Sequence, residues 1–262
     1  MVEGLVDIGA NLAHHSFDQD REAVLQRAWD AGLSHIILTG SSRDSALRAL
    51  DLARSDARLH STAGLHPHHA AEWSEELRAV FRDLAQQPRL VSLGECGLDY
   101  FRDLSPRADQ KRAFIAQLEL AAELKKPLFL HQRDAHTDFL AILREHRPQL
   151  GAVVVHCFTD TLDALQDYLA LDCHIGITGW VCDERRGREL FEIVKVIPDE
   201  RLLVETDAPY LLPRTAPKVS HRRNEPCYLP YVVKALAQAR NQSEEQVARV
   251  SGANARRFFC LG

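Results

Sequence analysis

No stretch of this 262-residue sequence approaches the roughly 20 apolar residues that a membrane-spanning helix needs. The first residues, Met1-Val2-Glu3-Gly4, lack the basic start and apolar core of a signal peptide. A cytoplasmic location with no membrane partner is the expectation. The six cysteines (Cys96, Cys157, Cys173, Cys182, Cys227 and Cys260) form no CxxC, so they read as reduced thiols rather than a disulfide framework or a structural zinc site. An excess of positive charge is also missing. The formal net charge of −5 argues against coating nucleic acid by bulk electrostatics, although a locally basic cleft stays open. No Gly-x-Gly-x-x-Gly follows the first apolar run, so no dinucleotide cofactor is expected. No low-complexity tract, composition break or linker splits the chain, which reads as one domain over residues 1–262.

What the sequence does contain is an alternation. Eight short, apolar, β-branched runs predict strands at Leu5–Ile8, Ser34–Leu38, Leu59–Ala63, Leu90–Leu93, Pro127–Leu130, Ala152–Val155, Cys173–Ile177 and Leu202–Val204. Between them, apolar residues return every three or four positions, predicting helices such as Arg21–Ala31, Asp44–Ala53, Asp109–Leu124, Asp138–Glu145 and Thr161–Leu169. Strands alternating with helices pair in parallel through crossovers. Eight such units at this length predict an α/β fold, a single (β/α)8 barrel, in preference to an open doubly wound sheet.

Chemistry in such barrels sits at the C-terminal ends of the strands. Those ends carry Asp7, Gly9 and Asn11 after the first run, His66, His68 and His69 in GLHPHH, and Glu95 and Asp99 in GECGLDY. Later ends carry His131, Arg133 and Asp134 in LHQRDA, His156 in VHCFT, and Glu205 and Asp207 in ETDAPYL. His131 and His156 follow directly on PLFL and AVVV, and Glu95 comes one glycine after LVSL. A lone histidine beside an apolar run is more often a core residue than a ligand. Three titratable residues at the equivalent place on three successive strands are harder to explain that way. An unpaired carboxylate in a low-dielectric mouth costs several kcal/mol. A divalent cation held by Glu95, His131 and His156 would relieve that cost. Asp207 reads as a further ligand or as the acceptor of a proton from water, with a helix N-cap as the plainer alternative.

Charge is distributed unevenly around this mouth. Arg214, Lys218, Arg222 and Arg223 follow the eighth run against one acid, Glu225, and Arg185, Arg186 and Arg188 follow the seventh, offset by Asp183 and Glu184. Basic residues there favour an anionic substrate. Trp180, Tyr210, Tyr100 and Phe101 lie nearby and could stack unpaired bases. A functional role is the reading for Trp180 and the Arg222–Arg223 pair, and packing is the reading for Phe101.

In order and spacing, GLHPH, GECGLDY, LHQRDA, VHCFT, GITGWV and ETDAPYL resemble the TatD family of metal-dependent hydrolases, from Asp7 to about Phe258. The resemblance implies an amidohydrolase-type barrel and a magnesium-dependent nuclease. GWVCDERRG and SHRRNEP resemble the branch described as 3′-5′ exonucleases on single-stranded DNA and RNA, with deoxyribonuclease activity and a role in repair of oxidised DNA. On this basis Glu95, His131 and His156 match metal-holding positions, and Asp207 matches the acid that aligns or deprotonates the attacking water and can also ligate. Glu95 and Asp207 are then the catalytic pair. The expected cofactor is Mg2+, with Mn2+ or Zn2+ as alternatives.

Many members of that family begin Asp-x-His-x-His, where this chain has Gly9 and Asn11. Glycine offers no ligand and Asn11 only a neutral amide oxygen, so one firmly held ion is expected, a second arriving with substrate phosphate. His14 and His15 come too late to replace those histidines and are expected at the solvent or the substrate edge. The expected substrate contacts are His66, Asn11, Arg222, Arg223 and Trp180. Two other readings stay open: a metal-dependent ester hydrolase such as an aminoacyl-tRNA deacylase, and a nucleic-acid-binding protein without turnover. Nothing marks a subunit interface, so a monomer is the default.

Overall fold

The computed structural model describes residues 3–217 and 222–262. Eight strands form in chain order: β1 (Leu5–Ala10), β2 (Leu33–Leu38), β3 (Leu59–Ala63), β4 (Leu90–Asp99), β5 (Leu128–Arg133), β6 (Val153–Val155), β7 (His174–Ile177) and β8 (Leu202–Val204). Their hydrogen-bonded order in one sheet is β1 through β8. Helices α1 (Arg21–Asp30), α2 (Arg43–Ala53), α3 (Glu75–Leu84), α4 (Arg107–Leu124), α5 (His136–His146), α6 (Leu162–Ala170), α7 (Arg188–Ile193), α8 (Leu229–Arg240) and α9 (Glu244–Phe259) alternate with or follow them. The fold class is the (β/α)8 barrel. Every residue of β1, β3, β6, β7 and β8 is buried, and the short strands β6 (VVV) and β8 (LLV) accordingly read as continuous apolar runs rather than alternating ones.

The chain divides into two compact units. The first comprises the described residues of 1–38, 157–162 and 175–262, and the second residues 39–156 and 163–174. In the second unit, β4 pairs in parallel with β3 (Thr62↔Ser92) and β5 (Gly97↔His131), and β5 with β6 (Phe129↔Val154). Strand β4 runs six residues past its predicted end at Leu93. Two glycines allow this, because Gly94 and Gly97 have φ of +120° and +148°. A Cβ on Gly94 would meet the Phe129 carbonyl oxygen at 2.1 Å, and one on Gly97 the His131 carbonyl oxygen at 1.8 Å. The extension carries Glu95 and Asp99 inside the ladder rather than in a loop.

Helix α4 braces that region from behind. Gln110 and Gln117, seven residues apart on its buried stripe, turn amide groups toward strand ends. Gln117 Oε1 accepts from Leu65 N at 2.7 Å and its Nε2 donates to Leu65 O at 3.1 Å. Gln110 Oε1 accepts from Asp99 N at 2.9 Å, while its Nε2 donates to Asp99 O and Ser105 O. Phe114 of the same helix stacks on Phe139 of α5 with centroids 5.1 Å apart.

In the first unit, β1 pairs in parallel with β2 and β7 with β8, and Ala10 bridges Ala208 in parallel just beyond β8. Asn11 N donates to Ala208 O at 2.6 Å and Asp207 N to Gly9 O at 2.8 Å, so the ends of β1 and β8 are held side by side. Helix α9 starts on Ser243, whose side chain accepts from Gln246 N, and has acids in its first turn and arginines in its last, as the helix dipole favours. Its Asn254 donates to Leu202 O at 2.9 Å, fastening α9 to β8.

Candidate active site

The second unit gathers four imidazoles and two carboxylates. Glu95 Oε1 lies 2.8 Å from His156 Nε2, 3.2 Å from His131 Nδ1 and 3.4 Å from His66 Nε2. Three rings thus converge on one carboxylate oxygen. Burial pushes the Glu95 carboxyl up, but the imidazoles of His66 and His156 and the hydrogen bonds from His131 and His156 outweigh it, leaving Glu95 well below the usual range.

The other nitrogens of these rings assign their roles. His131 Nε2 is buried and faces Asp99 Oδ2 at 3.5 Å, which leaves Nδ1 as the nitrogen that could ligate a cation. Burial opposes a proton on His131, yet Asp99 and Glu95 together raise its pKa. His66 has the reverse arrangement. His68 N donates to His66 Nδ1 at 3.1 Å, so the neutral ring carries its proton on Nε2, and burial holds it neutral by pushing its pKa well down. Among the described residues, the ligand atoms of His66, Glu95 and His131 lie within 4.8 Å of one another, a grouping that could hold a metal ion. With Nδ1 occupied as an acceptor, His66 Nε2 is better suited to donate than to ligate. In donor chemistry, one carboxylate oxygen and two imidazole nitrogens, on Glu95, His131 and His156, suit a divalent cation, although His156 lies outside that 4.8 Å grouping.

Asp99, noted in the sequence only for its place at a strand end, organises this group. Its Oδ2 bonds His68 Nε2 at 2.8 Å, and its Oδ1 accepts from Phe101 N and Arg102 N. Arg133 lies over the ring of Phe101 at 3.9 Å. Phe101, expected as a packing residue, is 56% exposed.

The first unit holds a different cluster. Asp7 Oδ1 accepts from Gly9 N at 3.2 Å and Thr206 N at 2.9 Å, and Oδ2 accepts from Thr206 Oγ1 at 2.5 Å. Burial dominates here, and the carboxyl is raised to about 7 despite these bonds. The clamp fixes Thr206, and with it the next residue, Asp207, whose φ of +54° is a left-handed conformation uncommon outside glycine. Asn11, expected at the substrate, donates through Nδ2 to Asp207 Oδ1 at 3.2 Å. Glu205 is buried and accepts from Cys157 N at 2.5 Å, a structural role.

The basic residues part company. Arg223, expected to steady a phosphate, donates to both oxygens of Asp20 (2.9 and 2.6 Å), to Glu225 (2.9 Å) and to Ser16 O (2.5 Å). These contacts make it a brace of the loop. Arg214 pairs with Asp183 at 2.8 Å. Arg222 is exposed and has no carboxylate or hydrogen-bond partner among the described residues. Trp180 is half-buried in a short 3-10 turn after β7, where Thr178 caps the turn. Lys218, with Ser220 and His221 of SHRRNEP, lies outside the described residues. His14 is half-buried and His15 exposed, their ring centroids 4.0 Å apart.

Residues 6–260 match the family described as TatD related DNase. The chain belongs to that family. The TatD relatives include a "3′-5′ ssDNA/RNA exonuclease TatD" from Erwinia billingiae, 51% identical over 98% of this chain and 99% of the relative. One of the same name from Pantoea vagans is 50% identical over 98% of this chain and all of its own. The crystal structure of a TatD homologue from Escherichia coli, 27% identical, superposes with a TM-score of 0.91 over the full length of both chains.

Proposed function

We propose that this protein is a metal-dependent phosphodiester hydrolase, a 3′-5′ exonuclease on single-stranded DNA and RNA. The observation that carries the reading is the meeting of His131 Nδ1 and His156 Nε2 at one oxygen of Glu95. Two curated relatives of that name, about half identical along nearly the whole chain, support it. The reading takes residues 1–262 as one functional domain, acting as a cytoplasmic monomer in DNA repair.

Glu95, His131 and His156 would hold the cation, Mg2+ in this reading, with Mn2+ favoured next by the two imidazoles. Such an ion supplies positive charge to a phosphate oxygen and lowers the pKa of water. The protein's own groups do the rest. Asp207 accepts the proton of the attacking water as its oxygen bonds to phosphorus and the bond to the leaving 3′ sugar oxygen breaks, that oxygen taking a proton from solvent. Asn11 Nδ2 fixes the plane of the Asp207 carboxylate by its bond to Oδ1. His66 donates from Nε2 to a phosphate oxygen, where charge builds in the transition state. The Asp99 carboxylate, 3.5 Å from His131 Nε2, favours the ring proton there so that Nδ1 keeps its lone pair for the ion. Trp180 and Arg222 engage the strand.

The test is turnover of a labelled single-stranded oligonucleotide with Mg2+, with Mn2+ and with chelator, comparing wild type with Glu95→Ala. Metal-dependent release of nucleotides that the substitution abolishes is expected. Activity that survives both chelation and Glu95→Ala removes the reading, and hydrolysis of aminoacyl-tRNA in place of the oligonucleotide redirects it to an ester.

A further inference from the structure

A cavity of about 780 Å3 opens in the first unit, lined by His14, Asp20, Tyr210, Arg222 and Arg223 among others. Its size lies within the range of small-ligand sites. Its base is rigid. Arg223 ties Asp20 to Glu225 and to the Ser16 carbonyl, and its guanidinium lies 4.6 Å from the centre of the Phe17 ring. The charges of Asp20 and Arg223 are therefore spent on each other. Asn224, fully buried, donates through Nδ2 to both Thr206 O (2.8 Å) and Tyr210 O (2.7 Å), and Tyr210 N donates to Asp207 O (2.9 Å). The backbone of Tyr210 is pinned on both sides.

On this fixed frame the cavity is lined by an exposed aromatic face, a histidine that caps the His15–Phe17 turn through Nδ1, and an exposed arginine. The Tyr210 side chain is 53% exposed although its backbone is fastened. His14 approaches it edge to face, with centroids 6.3 Å apart, and His14 in turn sits against His15. Arg222 holds a left-handed φ of +50°, a conformation that persists only where the surroundings impose it. That exposed guanidinium is uncompensated by any carboxylate among the described residues. An aromatic wall beside one uncompensated cation matches the two halves of a nucleotide, a stacking face and a phosphate.

We infer that this cavity is the subsite for one unpaired nucleotide of the substrate strand, with the base against Tyr210 and His14 and its phosphate on Arg222. The inference rests on the nuclease reading above. It adds that strand affinity comes from base stacking near Asp207, and that it is separable from the cation-holding group.

Fluorescence anisotropy in chelator, which needs no turnover, tests it with two labelled strands of equal length: an ordinary single-stranded oligonucleotide and a fully abasic one. Wild type should bind the base-bearing strand about five- to hundredfold more tightly, the span of one stacked base. Tyr210→Ala should collapse that ratio toward one, whereas Tyr210→Phe, which keeps the stacking face, should preserve it. Arg222→Ala should weaken both strands alike and reduce the salt slope by about 1. A ratio unchanged by Tyr210→Ala, or no binding of either strand, overturns the subsite. Turnover measured in parallel separates the two readings. A strand bound through Tyr210 but never cut counts against the nuclease alone, and a strand cut with no dependence of binding on Tyr210 counts against the subsite alone.

Discussion

Asp7 and Asp99 are both buried carboxylates, 0% and 1% exposed, and both accept two backbone N–H groups, yet their proton affinities move in opposite directions. Asp7, in the first unit, has only neutral donors, two amides and the Thr206 hydroxyl, and the nearby Glu205 carboxylate adds to burial in raising it. Burial prevails and the carboxyl rises to about 7. Asp99, in the second unit, has in addition the rings of His68 and His131. Burial again opposes ionisation, but hydrogen bonds from those imidazoles, from Arg102 N and the His131 charge pull it below the usual range. Of these two buried acids, the one within reach of imidazoles stays ionised, and the one reached only by neutral donors holds its proton to higher pH. The second unit thus keeps a charge on Asp99 beside its imidazoles, while in the first Asp7 holds backbone geometry around Asp207.

The largest effect that separates the two units should come from Asp207→Asn. Loss of the proton acceptor is expected to lower kcat by about a thousandfold, within the usual range for general-base catalysis, while the affinity for Mn2+ measured by calorimetry changes little. A large loss of Mn2+ affinity would instead make Asp207 a ligand.

Asp7 gives a stability effect with a defined sign. Its folded pKa of about 7 exceeds its unfolded value of 3.8, so the folded state binds the extra proton between those limits. Stability therefore falls as pH rises from about 4 to 7, by up to about 4 kcal/mol from this site. Asp7→Asn keeps an oxygen for Gly9 N and Thr206 N and can donate to Thr206 Oγ1. Urea unfolding of this variant should lose that slope, and an unchanged slope would show that Asp7 is ionised throughout.

In the other unit, Asp99→Asn should weaken Mn2+ binding by about ten- to a hundredfold, because His131 loses the partner that fixes its ring. Smallest is the contrast between adjacent arginines. Arg223→Ala leaves the buried Glu225 with fewer donors and should cost about 2 kcal/mol in urea unfolding, whereas Arg222→Ala should stay within about 0.5 kcal/mol.

Much of this was legible in the residues. The eight apolar runs mark the eight strands because all are wholly or mostly buried, and Glu95, His131 and His156 stand out by recurring at equivalent strand ends. The extension of β4 was hidden, since Gly94 and Gly97 read as breakers while in fact they let the β4–β5 ladder continue. Gln110 and Gln117 left a faint signal, two amides seven residues apart on an otherwise apolar helical stripe. The separate fates of Arg222 and Arg223 left none. Asp20, which claims the second of them, is about two hundred residues away in sequence, and only tertiary structure supplies it.

The central claim is that one acid and two imidazoles of the second unit share a cation. Anomalous diffraction from crystals soaked in Mn2+ tests it directly. The account predicts a Mn2+ peak coordinated by Glu95, His131 Nδ1 and His156 Nε2, with His66 Nε2 outside the coordination sphere. A saturating soak with no peak there, or a peak bound through His66 in place of His156, would contradict it.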